Sequence, residues 1–171
     1  MVKVKIVLDS DVIIHFINAG CFSTLFKILP LYEYIILSQV YDELKAHQTQ
    51  IENQIIFFHD LRIENYSPKG NAMVEFFRLN LTMGKGESAC MVYCKENNYI
   101  LGSSNINDIH LYCNDNGITY LTTLDFLYYA YKNKVMTQEE CNQFMSDVKN
   151  SGSKLPKRIT DIVKYNCTVS I

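Results

Sequence analysis

The sequence lacks several features that would assign a function class directly. Its six cysteines form no Cys-x-x-Cys pair, so we expect reduced and mostly buried thiols. No apolar run approaches the roughly 20 residues that a membrane helix needs. Gly84-Lys85-Gly86 is too short for a phosphate-binding loop, and no Gly-Lys-Ser/Thr follows it. Its glycines predict a tight turn into a helix instead.

The chain also has no strong charge of either sign. Sixteen basic and 18 acidic residues give a formal net charge of -2, so the global basic field of many nucleic-acid binders is missing. A local basic face, or an acidic cleft whose sign a metal reverses, is still compatible with such binding. The first residues lead straight into a strand pattern, so we expect no signal peptide, no membrane attachment and a cytoplasmic protein.

What the chain does contain is enough apolar residues for a sizeable core. The hydrophobic share is 48% of 171 residues, which predicts one folded domain rather than disorder. Ser151-Gly152-Ser153 is a flexible break. We therefore expect a domain at residues 1–150 and a short basic C-terminal tail at residues 151–171.

Short apolar runs alternate with helical patterns along the chain. Strands are predicted at residues 4–8, 34–37, 61–66, 99–101 and 118–121. The segments between them carry helix signals, such as Ser38 as an N-cap before a helix to about Ala46, and Thr137 with Glu140 as a capping box. This alternation predicts an α/β fold, a three-layer α/β/α sandwich with a central, mainly parallel sheet.

Four acids follow the predicted boundaries of these elements. Asp9 ends the first strand, Glu43 lies in the helix after the second, Glu87 opens a helix, and Asp108 follows the strand at 99–101. The ends of parallel strands meet at one edge of a sheet, where ligand sites form. Converging carboxylates repel each other unless they share a proton or a cation. The pattern therefore favours a divalent metal site and metal-assisted hydrolysis.

Each acid also has an ordinary structural explanation. Asp9 or Asp11 can cap the helix that follows, and Glu87 is favoured by the helix dipole in a first turn. Glu43 can be a solvated helix acid, and Asp108 an early-helix acid. Independent caps would not need to converge, so the positions of these side chains in the fold separate the two explanations.

The four acids lie in four segments that keep a fixed order: IVLDSDVII at 6–14, SQVYDEL at 38–44, MGKGESA at 83–89 and GSSNIND at 102–108. These segments resemble the motifs of the PIN-domain family of metal-dependent ribonucleases. The order, the spacing and the strand-helix context agree over about residues 4 to 150. The resemblance implies a PIN-like fold and an endoribonuclease that hydrolyses RNA phosphodiester bonds with Mg²⁺ or Mn²⁺.

The resemblance also implies roles for individual residues. Asp9, Glu87 and Asp108 would ligate the metal, and Glu43 would be a further catalytic acid that orients a metal-bound water or a second ion. Three more residues would support the site: Asp11, Ser104 and Asn105. Small stand-alone members of the family are often toxins of toxin–antitoxin modules, which implies an antitoxin partner and a homodimer. The basic residues of the tail would contact RNA phosphates: Lys154, Lys157 and Arg158.

One segment departs from the family pattern. Many relatives carry Asp-Asp where this chain has Ser104-Asn105, and the amide of Asn105 can ligate or orient water but brings no charge. This departure favours a second function, a PIN-like binding or regulatory module with weak or absent catalysis. A generic α/β phosphatase-like hydrolase is a third alternative.

Overall fold

A computed structural model describes residues 4–171, so residues 1–3 of the predicted 1–150 domain lie outside the described part. Within residues 4–171 a five-stranded sheet is parallel throughout, with the strand order β3-β2-β1-β4-β5. The strands are β1 Lys5–Leu8, β2 Glu33–Leu37, β3 Leu61–Glu64, β4 Ile100–Gly102 and β5 Tyr120–Leu121. The predicted α/β fold is confirmed.

Nine α-helices connect or follow these strands in the described part of the chain. They are α1 Ser10–Asn18, α2 Phe22–Ile28, α3 Ser38–Glu43, α4 Gln48–Phe58, α5 Asn71–Asn80, α6 Lys85–Asn97, α7 Ile106–Asp115, α8 Thr123–Lys132 and α9 Gln138–Asn150. Helices α1, α2, α8 and α9 contact one another, and α6 contacts both α5 and α7. Because crossovers between parallel strands are right-handed, these two groups cover opposite faces of the sheet.

The central strands are buried on both faces. The run from Ile6 to Leu8 in β1 and the run from Ile35 to Leu37 in β2 are 0% exposed. Uninterrupted apolar runs of this kind are typical of parallel strands covered by helices. Leu8 of β1 pairs with Gly102 of β4, which pairs with Leu121 of β5. The residues that follow these three positions therefore leave the sheet side by side.

The helix ends agree with the sequence in most places and differ in a few. Both reciprocal contacts of the predicted Thr137–Glu140 capping box are present. Ser38, by contrast, is the first residue of α3 and not its N-cap, which is Leu37. The helix predicted to about Ala46 ends at Glu43, because the Leu44 N–H donates to the carbonyls of both Val40 and Tyr41 and tightens the last turn. A 3₁₀ turn, Lys45–His47, follows.

Residues 151–171 pack on the domain. A 3₁₀ turn, Ile162–Lys164, buries Ile162 completely. The Tyr165 hydroxyl donates to the Asp125 carboxylate at 2.7 Å, and the Tyr129 hydroxyl donates to the Val169 carbonyl at 2.8 Å. The basic C-terminal segment is thus held against α8.

In the part of the chain that the structure describes, no single helix is long and apolar enough to cross a membrane. Helices α1 and α2 reach the required length and composition only as a pair, and that pair is bent by 117°. Most apolar side chains of both helices are buried in the core.

Candidate acidic active site

Asp9 lies at the carboxyl end of β1, at the centre of the sheet. It caps α1, and its Oδ1 accepts a hydrogen bond from the Ser10 N–H at 2.8 Å. Its Oδ2 accepts one from the Ser103 hydroxyl at 3.3 Å. The side chain is 4% exposed. Asp9 is therefore both a helix cap and a buried carboxylate at the carboxyl ends of the strands, where ligand sites form in parallel sheets.

Asp11 joins the end of β1 to the end of β4. Its Oδ1 accepts from the Val12 N–H at 2.6 Å, and its Oδ2 accepts from the Ser104 N–H at 2.8 Å. The Ser104 backbone therefore binds the Asp11 carboxylate, and the Ser104 hydroxyl donates to Thr123 Oγ1 at 2.8 Å. Of the predicted supporting residues, Asp11 acts on Asp9 through its charge, and Ser104 contacts Asp11.

Glu43 reaches the site from the last residue of α3. Its Oε1 accepts from the Gly86 N–H at 2.7 Å, at the start of α6. A Cβ on Gly86 would lie 2.6 Å from the Glu43 Oε2 and 3.1 Å from a methyl carbon of Val40. The glycine predicted to form a turn lies inside α6, and it makes room for the Glu43 carboxylate.

Glu87 follows in the first turn of α6 and is 7% exposed. Its Oε1 is buried and has no hydrogen-bond partner among residues 4–171. Burying a carboxylate oxygen away from water without a hydrogen-bond donor costs folding free energy. A bound cation or a proton would satisfy it.

Asp108 and Asn105 form the outer rim of the site at the start of α7. Both side chains are exposed, and the Asn105 amide donates to Asp108 Oδ2 at 2.6 Å. Burial raises the pKa of Glu87 most, the charge of Asp108 raises it further, and the Asn105 side chain lowers it. Asp108 therefore lies near Glu87 but at the solvent edge.

The electrostatics show that these acids share one region. Burial, followed by the charges of Asp11, Glu87 and Glu43, raises the pKa of Asp9 well above its usual value. Burial, followed by the charges of Asp108, Asp11 and Glu43, raises the pKa of Glu87 to about 7. Burial raises the pKa of Asp11 to about 6, although several hydrogen bonds oppose the rise. Separate helix caps would not act on one another in this way.

The acids of the site fit a metal ion in part. As the side chains stand, no three Asp, Glu, His or Cys residues between positions 4 and 171 form a group that could hold one. Mg²⁺, however, is usually held by one or two carboxylates, with water and substrate phosphates completing its shell. Asp9 and the unpartnered oxygen of Glu87 fit that requirement. The full ligand set of Asp9, Glu87 and Asp108 stays a prediction.

Sequence reasoning missed a polar network behind Asp11. The His15 Nδ1 lies 2.8 Å from Thr123 Oγ1, and the Thr123 N–H donates to Ser104 Oγ at 2.8 Å. His15 is 4% exposed, and burial lowers its pKa to about 4. The available signal was its position four residues after Asp11, on the same face of a helix.

The fold and the site together define an α/β protein with a cluster of acids at the carboxyl edge of a parallel sheet. No protein-family model matches the chain, and a comparison with curated proteins found no match. Among solved structures it is similar to a PilT N-terminus domain protein from the hyperthermophilic archaeon Sulfolobus solfataricus P2, with 15% identity and a TM-score of 0.45. That similarity covers 71% of this chain and 88% of the other, and it assigns no activity to this chain.

Proposed function

We propose that the chain is a divalent-metal-dependent endoribonuclease that uses Mg²⁺ or Mn²⁺ to hydrolyse RNA phosphodiester bonds. The observation that carries the proposal is the crowding of acids around Glu87, whose buried Oε1 has no hydrogen-bond donor in the described part of the chain. Desolvation and neighbouring charges both disfavour its ionised form. A bound divalent cation favours the ionised carboxylate and so offsets both effects, whereas a cluster of acids without one repels RNA.

The residues have distinct tasks in this proposal. Asp9 and Glu87 hold the ion, which polarises a phosphoryl oxygen and helps deprotonate water when bound. Ser103 and the Ser10 N–H fix the Asp9 carboxylate through their hydrogen bonds. The Gly86 N–H fixes Glu43 at 2.7 Å. Holding each acid in one orientation lowers the reorganisation that the reaction requires.

The direct test is cleavage of a fluorescent single-stranded RNA with Mn²⁺, with Mg²⁺ and with EDTA. We expect cleavage by the wild type with either metal and none with EDTA. Asp9→Asn and Glu87→Gln should each lower the rate at least about a hundredfold, the scale of losing a group that stabilises transition-state charge. Glu139→Gln, a change of the same kind at an exposed position on α9, is the matched control.

Circular dichroism of each variant separates loss of function from loss of folding. Wild-type-like cleavage by folded Asp9→Asn or Glu87→Gln protein would refute the assignment. A folded wild type that cleaves no RNA with either metal would also refute it.

The second candidate function is a binding or regulatory module without turnover. Asn105 favours it, because this rim residue pairs with Asp108 and adds no negative charge. Such a module would bind RNA in a filter assay with the same affinity in Mn²⁺ and in EDTA, and would not cleave it. The endoribonuclease instead requires the metal for cleavage.

Protein partners, a second copy of this chain or an antitoxin, belong to the same proposal. Val74, Phe77 and Leu81 on or just after α5 are 67%, 59% and 84% exposed. Their spacing places them on one helix face. Exposed apolar patches of this kind support protein association. Light scattering on the purified protein tests the homodimer, because a mass of 19.8 kDa would identify a monomer.

A further inference from the structure

A cavity of about 380 Å³ lies beside the acidic site and is lined by the C-terminal segment. Asp11, Ser104 and Asn105 border it on the side of the acidic site, and Ile14, His15 and residues 152–154 line the rest. Cavities that bind small molecules begin at about 300 Å³, so this volume suits a group of the size of one nucleotide.

The hydrogen bonds around His15 determine what the cavity offers. The Thr123 Oγ1 accepts the Ser104 hydroxyl proton, which leaves its own proton to donate to the His15 Nδ1. With the Ser104 hydroxyl donating to Thr123, the ring proton of His15 is on Nε2. The ring is 4% exposed, and its Nε2 has no hydrogen-bond partner among the described residues. His15 therefore presents a neutral, rigidly held donor.

Lys154 supplies the charge. Its side chain is exposed and forms no ion pair with another residue in the range 4–171. The acids next to the cavity repel phosphates, so a cation at this position favours a phosphodiester strand that enters from this side. Ile14 adds an apolar surface against which a base or a ribose can pack.

We propose that this cavity binds one nucleotide of the RNA strand next to the cleaved phosphodiester. The His15 Nε2–H donates to an acceptor on the base, Lys154 pairs with the phosphate, and Ile14 contacts the nucleotide's apolar surface. This inference rests on the proposed ribonuclease function, because it names the strand contact of the same site. It also assigns the packed C-terminal segment a role in substrate binding.

The test measures binding of the four nucleoside 5′-monophosphates to the full chain in EDTA, by nuclear magnetic resonance of ¹⁵N-histidine-labelled protein. We expect at least one nucleotide to bind with a Kd near about 1 mM, the weak end of the specific range. The His15 ring resonances should shift, whereas those of His47 and His59 should not.

Variants of exposed lysines then test the charge without disturbing the core. Lys154→Ala should weaken binding about fivefold, the scale of a partly solvated contact between ammonium and phosphate. Lys69→Ala is the matched control. It removes the same charge at an exposed position between β3 and α5 that does not line the cavity, and it should change the Kd less than about twofold.

The outcomes are separable from those of the cleavage assay. Absence of nucleotide binding, binding that leaves the His15 resonances unchanged, or equal effects of the two lysine variants would overturn the inference. Nucleotide binding at His15 by a protein that cleaves no RNA would support the cavity as a nucleotide site and contradict the ribonuclease function.

Discussion

Replacing Glu87 with Gln should stabilise the metal-free protein, although it removes a residue that we place at the centre of the site. Burial and the charges of Asp108, Asp11 and Glu43 raise the pKa of Glu87 from 4.5 to about 7. The folded protein therefore binds a proton that the unfolded chain releases at lower pH. By linkage, the free energy of unfolding falls as pH rises from about 4.5 to about 7, and this loss is complete above that range.

The size of the effect follows from the same values. The difference between 4.5 and about 7 corresponds to about 3 kcal/mol at 1.36 kcal/mol per pH unit. Residual solvent and relaxation of the neighbouring acids reduce this, so we expect about 1–2 kcal/mol in practice. For a chain of this length that is a rise in Tm of roughly 2–8 °C.

The assay is thermal unfolding of wild type and Glu87→Gln in EDTA across the range from pH 4.5 to pH 8. The two curves should nearly coincide at the acidic end and separate as pH rises. Glu139→Gln should change stability by less than about 0.5 kcal/mol at every pH, because it removes only an exposed first-turn acid.

Addition of Mn²⁺ should then reverse the order. A metal that binds only the folded wild type stabilises it by about 2.7 kcal/mol at a hundred times its Kd. Glu87→Gln should gain much less. A variant that is less stable than the wild type in EDTA at pH 8 would refute the claim that Glu87 is a crowded, unsatisfied carboxylate.

Three further predictions concern two residues of the site, Gly86 and Asn105, and the attachment of the C-terminal segment at Asp125. Gly86→Ala should displace the Glu43 carboxylate, because the new Cβ would lie 2.6 Å from its Oε2. The RNA cleavage rate should fall about tenfold or more, whereas the Tm should fall by only a few degrees. Asn105→Asp should tighten Mn²⁺ binding in calorimetry by roughly tenfold, because it adds a charged oxygen ligand at the rim; unchanged affinity would place Asn105 outside the metal shell. Asp125→Ala should destabilise the chain by about 2–3 kcal/mol, because Asp125 completes the α8 capping box and accepts a hydrogen bond from the Tyr165 hydroxyl at 2.7 Å. Hydrogen exchange should then show early opening of residues 162–171.

Most of the fold could be predicted from the sequence because local patterns and tertiary packing agree in it. The apolar runs of β1 and β2 are strands because the sheet buries both their faces. The Thr137 capping box is visible in four consecutive residues and forms as expected. Residues 151–171 were harder, because their attachment depends on the contacts of Tyr165 with Asp125 and of Tyr129 with Val169, which are 40 residues apart in each case.

The acids of the site could be located because they follow strand ends, which chain order alone brings together in a parallel sheet. The hydrogen-bond partners of the individual acids could not be predicted. The bond between Glu43 and the Gly86 N–H depends on how closely α3 approaches α6, and the chain of contacts from His15 through Thr123 to Ser104 joins three distant segments. Sequence spacing places His15 on the helix face of Asp11, but it does not specify contacts between distant segments.

Calorimetric titration of Mn²⁺ into the wild type and into Asp9→Asn at pH 7 tests the central claim most directly, since it asks only whether the cluster of acids binds a metal. We expect one saturable site in the wild type and at least about tenfold weaker binding in Asp9→Asn, with both proteins folded. Absence of measurable binding to the wild type, or equal binding by the two proteins, would contradict it.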